Sequence, residues 1–298
     1  MPRSMVAHAS LLIVNMIYAA NYIIAKEVLL GGYIKPFGFI VIRVGVALVL
    51  YWILHALFIR EKVDRKDIGL LALCGLFGVA INQLMFFKGL SFTSPIDASI
   101  VMVTTPVLVL VAAAILIKER ITVLKSVGIA LGAVGAFLLI ILGKDSQIAS
   151  DPTLGNFLIF INALSYGIYL VLAKPLMKKY HPLTVIKWVF LFGAFVVFPT
   201  GYSEFIEIDW ASFTSDVWLG VAYVVIGTTF LAYLLNNFSL SRLNASVVGT
   251  YIYMQPVMAT LIAVHFLEEQ LDWVKITAGI VIFIGVYLVS KKHVQKNN

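Results

Sequence analysis

Ten apolar stretches, separated by short polar connections, account for most of this 298-residue chain. A membrane-crossing helix needs about 20 mostly apolar residues. The segments that qualify run approximately over 8–28, 36–58, 68–90, 96–117, 123–142, 154–174, 183–203, 216–238, 245–267 and 273–291. Composition removes the alternative that these are buried helices of a soluble core. Hydrophobic residues make up 61% and charged residues 12%, with mean hydropathy +0.98, whereas a soluble domain is nearer half apolar and a quarter charged. The fold class predicted is an all-α integral membrane protein with ten transmembrane helices.

The first segment follows Arg3 and runs for about twenty residues, longer than a signal-peptide core of about 7–15. Its small-residue pattern, Ala7-His8-Ala9, precedes the run instead of following it. It is expected to remain as a span. Basic residues in short loops set orientation. With ten spans both termini share a side, and that side carries fifteen Lys and Arg against five on the other. Arg43 and Lys187 fall inside spans and are not counted. The termini are expected in the cytoplasm and the chain in the cell (inner) membrane. The net charge of +7 is thereby explained by topology, with no nucleic acid partner expected.

Catalytic chemistry has little to stand on. Cys74 is the single cysteine, and the five histidines (His8, His55, His181, His265, His293) show no metal-ligand spacing. No cofactor and no metal are expected. An intramembrane lipid-modifying enzyme would need a nucleophile, a metal set or paired carboxylates near the interface, and none is evident.

One stretch occurs twice. Asp97-Ala98-Ser99, Pro106 and Lys118-Glu119-Arg120 recur as Asn244-Ala245-Ser246, Pro256 and Glu268-Glu269-Gln270, with proline to glutamate thirteen residues in both. Lys125 and Gly135 match Lys275 and Gly285 at an offset of 150, about half the chain. Tyr18-Ala19 and Ala25-Lys26 match Tyr166-Gly167 and Ala173-Lys174 at an offset of 148. Five spans per half is an odd number, so the second half is expected to enter the membrane upside down. Loop charge agrees: Arg60 to Asp67 is basic, while the corresponding loop holds Glu204, Glu207, Asp209 and Asp216 without Lys or Arg. That is the pattern of inverted repeats. The predicted units are 1–143, a linker over 144–153, and 154–298.

These features resemble the drug/metabolite transporter superfamily, EamA type. Each half ends in small residues, a proline, a glutamate and a glycine-bearing final helix. Pro36 followed by Arg43 is similar to the family's proline-then-arginine pattern, whereas His181-Pro182 in the second half has no arginine after it. The resemblance implies a secondary transporter of small metabolites, amino-acid-like or otherwise amphipathic, often an exporter and not an enzyme. A channel or a non-transporting scaffold is the alternative.

In such a carrier the site lies near the midplane between repeats, and polar residues in spans tend to face it. Helical spacing selects Asn162, Ser165, Tyr166 and Tyr169 in span six, and Asn15, Tyr18, Asn21 and Tyr22 in span one. Thr229, Tyr233 and Asn236 in span eight follow the same spacing. Asn82 and Gln83 lie near the middle of span three, although neighbours should not share one narrow face. Gln255 precedes Pro256 and could reach a freed carbonyl or the solute. Substrate binding is assigned to these residues except Ser165 and Asn21, together with Arg43; interhelical bonding is the competing role. Arg43 is expected chiefly to snorkel or pair structurally, and Lys187 to snorkel. Pro106 and Pro256 should kink spans four and nine. Glu119 and Glu269 should cap spans five and ten. Gly128, Gly132 and Gly135 suit either a homodimer contact or packing within one chain. Trp188, Trp218 and Trp273 suit the interfacial belt.

Overall fold

The computed structural model describes residues 3–93, 95–142, 150–258, 262 and 273–290. The second copy's Glu268-Glu269-Gln270, residues 143–149 and the side chains of Asp97 and Lys275 lie outside the described residues. Every regular element among the described residues is helical: α1 (Arg3–Leu30), α2 (Pro36–Phe58), α3 (Arg65–Phe92), α4 (Pro95–Met102), α5 (Thr105–Leu116), α6 (Val123–Leu142), α7 (Pro152–Lys179), α8 (Pro182–Ile206), α9 (Ser215–Arg242), α10 (Ala245–Thr250) and α11 (Trp273–Ser290). Six of them, α1, α2, α3, α7, α8 and α9, are long and apolar enough to cross a membrane. Shorter apolar helical stretches lie at Thr105–Leu116, Val123–Gly135 and Ile276–Val289. The surface is that of a membrane protein. Leu57, Phe58, Ile115, Phe195 and Leu219 are each more than 65% exposed, an arrangement water would penalise and hydrocarbon does not.

Prolines open several helices where a missing N–H costs nothing. Pro36, Pro152 and Pro182 each begin one. Side chains meet one further free N–H at two of these starts: Asp151 Oδ1 accepts from Leu154 N, and His181 Nδ1 from Leu183 N. For α2 the cap comes from another helix. Glu204 Oε2, at the end of α8, accepts from Phe37 N at 2.6 Å and Gly38 N at 3.1 Å. A carboxylate there also suits the positive end of the helix.

The stretch expected as the fourth span is two helices. α4 stops at Met102, Val103 and Thr104 form a turn, and α5 restarts at Thr105. Pro106 has no N–H for the Met102 carbonyl four residues back and its ring crowds that carbonyl. Pro256 acts in the same way on Ile252, and Tyr251–Tyr253 is accordingly wound as a 3₁₀ turn after α10. Regular α-helical winding is thus interrupted just before both prolines.

Local geometry recurs between the halves. α3 contains a π-helical segment at Leu76–Ile81, and α9 contains one at Tyr223–Leu231. α1 packs on α9 and α7 on α3; α6 packs along α11. Lys26 Nζ donates to the carbonyls of Leu90 (2.7 Å) and Thr93 (3.0 Å) at the end of α3. Lys174 Nζ donates to those of Leu240 (2.6 Å) and Leu243 (2.5 Å) at the end of α9. The last carbonyls of a helix lack backbone donors, and a cation there suits the negative end.

Several expectations need correction. Lys26 and Lys174 were counted as loop residues, but they lie inside α1 and α7, only 4% and 7% exposed, because those helices run several residues beyond their apolar cores. Lys187 does not snorkel: its Nζ lies 2.9 Å from His55 Nδ1 and over the Trp52 ring. Glu119 ties helices together instead of capping α6. Its carboxylate accepts from Lys125 Nζ at 2.5 Å and from Ser246 Oγ at 2.9 Å. The glycines of α6 are used within the chain: a Cβ on Gly128 or Gly135 would meet the α11 backbone, and one on Gly132 the Tyr253 ring. Of the two roles the sequence left open for them, packing within one chain is the one these contacts serve. Of the tryptophans, Trp218 and Trp273 are exposed, while Trp188 packs between Trp52 and Phe192.

Candidate functional site

A cavity with about 710 Å³ of atom-free space, its mouth included, lies between the two halves. α1 supplies Val14, Asn15, Tyr18, Asn21 and Tyr22, and α7 supplies Asn162 and Tyr166. From α3 come Asn82, Gln83, Phe86 and Phe87, and from α9 Thr228, Tyr233 and Asn236. Arg43 of α2, Met102 of α4, Val248, Ile252 and Gln255 complete the wall.

Hydrogen bonds fix much of this lining across helices. Tyr22 donates to Gln255 Oε1 at 3.1 Å, and Gln255 Nε2 donates to Asn15 Oδ1 at 3.2 Å. Asn236 Nδ2 donates to the Tyr166 hydroxyl at 2.7 Å, and Thr228 to Asn21 Oδ1 at 3.1 Å. Asn162 Nδ2 donates to the Asn82 carbonyl at 2.7 Å. The Tyr233 hydroxyl lies 3.0 Å from both the Gly78 carbonyl and Asn82 Oδ1. Beside it, Gln83 falls outside hydrogen-bond geometry, and both ends of its amide are unpaired.

Arg43 does not snorkel. It is 3% exposed, its Nε donates to Thr229 Oγ1 at 2.7 Å, and its guanidinium carbon lies 4.1 Å from the Phe87 ring centre. Its Nη1 has no partner. The Thr229 hydroxyl and the Phe87 face are the contacts that hold the side chain inside the protein.

Of the residues selected from the sequence, Asn15, Tyr18, Tyr22, Arg43, Asn82, Gln83, Asn162, Tyr166, Tyr233, Asn236 and Gln255 are brought to this one cavity. Tyr169 and Thr229 are not. Tyr169 is fully buried, its hydroxyl donating to Asn237 Oδ1 at 2.5 Å. Thr229 turns its hydroxyl to Arg43 and to the Val224 carbonyl, leaving Thr228 in the wall. Adjacent Asn82 and Gln83 do share the cavity, contrary to the narrow-face expectation; they directly follow the π-helical segment of α3. Sequence reasoning missed the apolar lining, though Met102 and Ile252 stand four residues before Pro106 and Pro256, where kinking acts. Among the described residues no group of three or more His, Cys, Asp or Glu could hold a metal ion.

Comparison with known proteins gives consistent matches. The model of the EamA-like transporter family matches residues 5–141 and again 153–291. An uncharacterised transporter of Archaeoglobus fulgidus is 24% identical over 87% of this chain and 90% of its own length. The uncharacterised transporter YetK of Bacillus subtilis is 27% identical over 80% and 75%. A protein of Streptantibioticus cattleyicolor named as a probable terminal-alkyne amino-acid exporter is 24% identical over 78% and 76%. A solved crystal structure superposes with a TM-score of 0.73 at 18% identity, covering 97% of this chain and 96% of the other. At that identity it speaks for the fold.

Proposed function

Since this chain belongs to the EamA-like transporter family, we propose that it is a secondary carrier of small amphipathic metabolites, amino-acid-like solutes among them, working as an exporter by alternating access. The observation that carries this reading is the cavity between the halves, walled by both and lined with amides, tyrosines and one arginine. Such a lining holds a small solute by hydrogen bonds and ring contacts while keeping lipid out. The amino-acid exporter of Streptantibioticus cattleyicolor supports both the direction and the solute class.

The architecture proposed with it is ten spans in two inverted five-helix repeats, with both termini in the cytoplasm of an inner-membrane protein. The two lysine ties, the two π-helical segments and the two proline-interrupted spans support that reading, each pair separated by about half the chain. Rocking of one repeat against the other around a midplane site follows from such a plan.

Substrate counterflow in proteoliposomes tests the carrier. Saturable exchange, accelerated by solute on the far side, is expected; unsaturable flux points to a channel and no flux to a scaffold. A reporter fused to the C-terminus should read cytoplasmic. A signal from the opposite side breaks the ten-span plan.

A further inference from the structure

The cavity is lined by one charged side chain and nothing to balance it. Arg43 is almost fully buried, and its two fixed neighbours, a threonine hydroxyl and a phenylalanine face, are neutral. No Asp or Glu is among the lining residues. The hydroxyls of Tyr18 and Tyr233 are the titratable groups near enough to feel the guanidinium. A buried charge is costly unless it is paired and hydrogen-bonded, and the Nη1 of this one has neither. The chain therefore carries half of an ion pair in its cavity wall.

Of the four other buried side-chain atoms without a partner among the described residues, all but the Tyr253 hydroxyl belong to this cavity's lining and point to the rest of the ligand. Gln83 Nε2, Gln83 Oε1 and Asn162 Oδ1 are buried without partners. Both residues line the same cavity as Arg43. Buried polar atoms are nearly always hydrogen-bonded, so their concentration in one cavity marks bonds that a bound solute supplies. These groups are uncharged. They suit a hydroxyl, oxo or amide group, and they offer an ammonium no counter-charge, while Arg43 would repel it.

We infer that the cavity selects solutes of net single negative charge: a carboxylate paired with Arg43, a neutral hydrogen-bonding group at Gln83 and Asn162, and an apolar body against Phe86 and Phe87. Hydroxy-, oxo- and N-acyl carboxylates fit this description better than zwitterionic amino acids. The inference rests on the carrier reading of the cavity and narrows its solute class.

The test uses matched probes in which a hydroxyl replaces an ammonium: lactate with alanine, 2-hydroxyisocaproate with leucine, and phenyllactate with phenylalanine. Thermal stabilisation of the purified protein gives affinity without needing transport. At least one hydroxy acid should bind about tenfold or more tightly than its amino-acid partner, the scale of one charge-assisted bond. Arg43→Gln should erase that preference, and Arg43→Lys should retain it at reduced affinity. The wild-type comparison stands even if a variant fails to fold. Equal or tighter binding of the zwitterions, or no stabilisation by any hydroxy acid, overturns the inference. Counterflow with the same probes separates the two claims. Saturable exchange that favours the zwitterions removes the charge assignment and leaves a carrier; anion-selective binding with no saturable flux of any probe removes the carrier and leaves the anion site.

Discussion

Gly285→Leu should yield little or no folded protein. A Cβ on Gly285 would stand 2.6 Å from the Gly128 carbonyl oxygen and 2.7 Å from Gly132 N. Reciprocally, one on Gly128 would stand 2.7 Å from the Gly285 carbonyl oxygen. These are backbone atoms, so no rotamer change makes room. α6 and α11 would have to separate, breaking the neighbouring approach of Gly135 to Ala278 as well. Overpacking of a core costs about 1–3 kcal/mol, occasionally more, and a clash between two backbones belongs at or above that upper end. Gly279→Leu is the control, since nothing lies within 4 Å of its Cβ position. The readout is the monodisperse fraction in detergent and its melting temperature. Equal behaviour of the two variants would show that the backbones are not in contact.

Tyr166→Ala and Asn162→Ala should each lower transport about tenfold or more at normal expression, the effect of losing roughly 1.4 kcal/mol or more at the site. Tyr166 holds Asn236 in place through its hydroxyl, and its ring is part of the cavity wall. Removing it both widens the space and leaves a buried amide unpaired. Asn162 fixes the α3 backbone at Asn82, beside Gln83 and just past the π-helical segment. Initial rates in proteoliposomes, normalised to reconstituted protein, make the measurement. If both variants retain full rates, these side chains serve packing between helices and the cavity is not the transport site.

The sequence reveals azimuth better than depth. In α1 and α7 the polar residues recur at α-helical spacing, and most of them face the cavity because those stretches are regular α-helix. Tyr169 shares the arc of Tyr166 but sits about one turn further along α7, where it bonds to Asn237 beyond the cavity. Periodicity cannot distinguish the two. In α9 the failure has another cause. Thr229 lies inside a π-helical segment, whose wider turns change which face each residue presents, so the wall receives Thr228 instead. The burial of Arg43 was also hidden. Its partners, Thr229 and Phe87, come from helices far away in sequence, and an arginine seven residues into a span looks the same whether it snorkels or not. The helix-breaking prolines were legible because their effect is local and covalent.

The lysine ties at the ends of α3 and α9 differ in kind from the contacts at the rims. Lys35 pairs with Glu207 at 2.5 Å in the open, and Lys179 with Asp64 and Asp67. Glu207 holds the Lys35 ammonium pKa above its ordinary value, and the Lys179 hydrogen bond holds the Asp64 carboxyl below its own. Dissolved salt screens such exposed pairs, and acid removes the carboxylate charge. Lys26 and Lys174 instead bind backbone carbonyls out of contact with water. Carbonyls do not titrate, and buried contacts are screened far less. The helix anchors made by these two lysines therefore lose less to added salt than the exposed carboxylate pairs do.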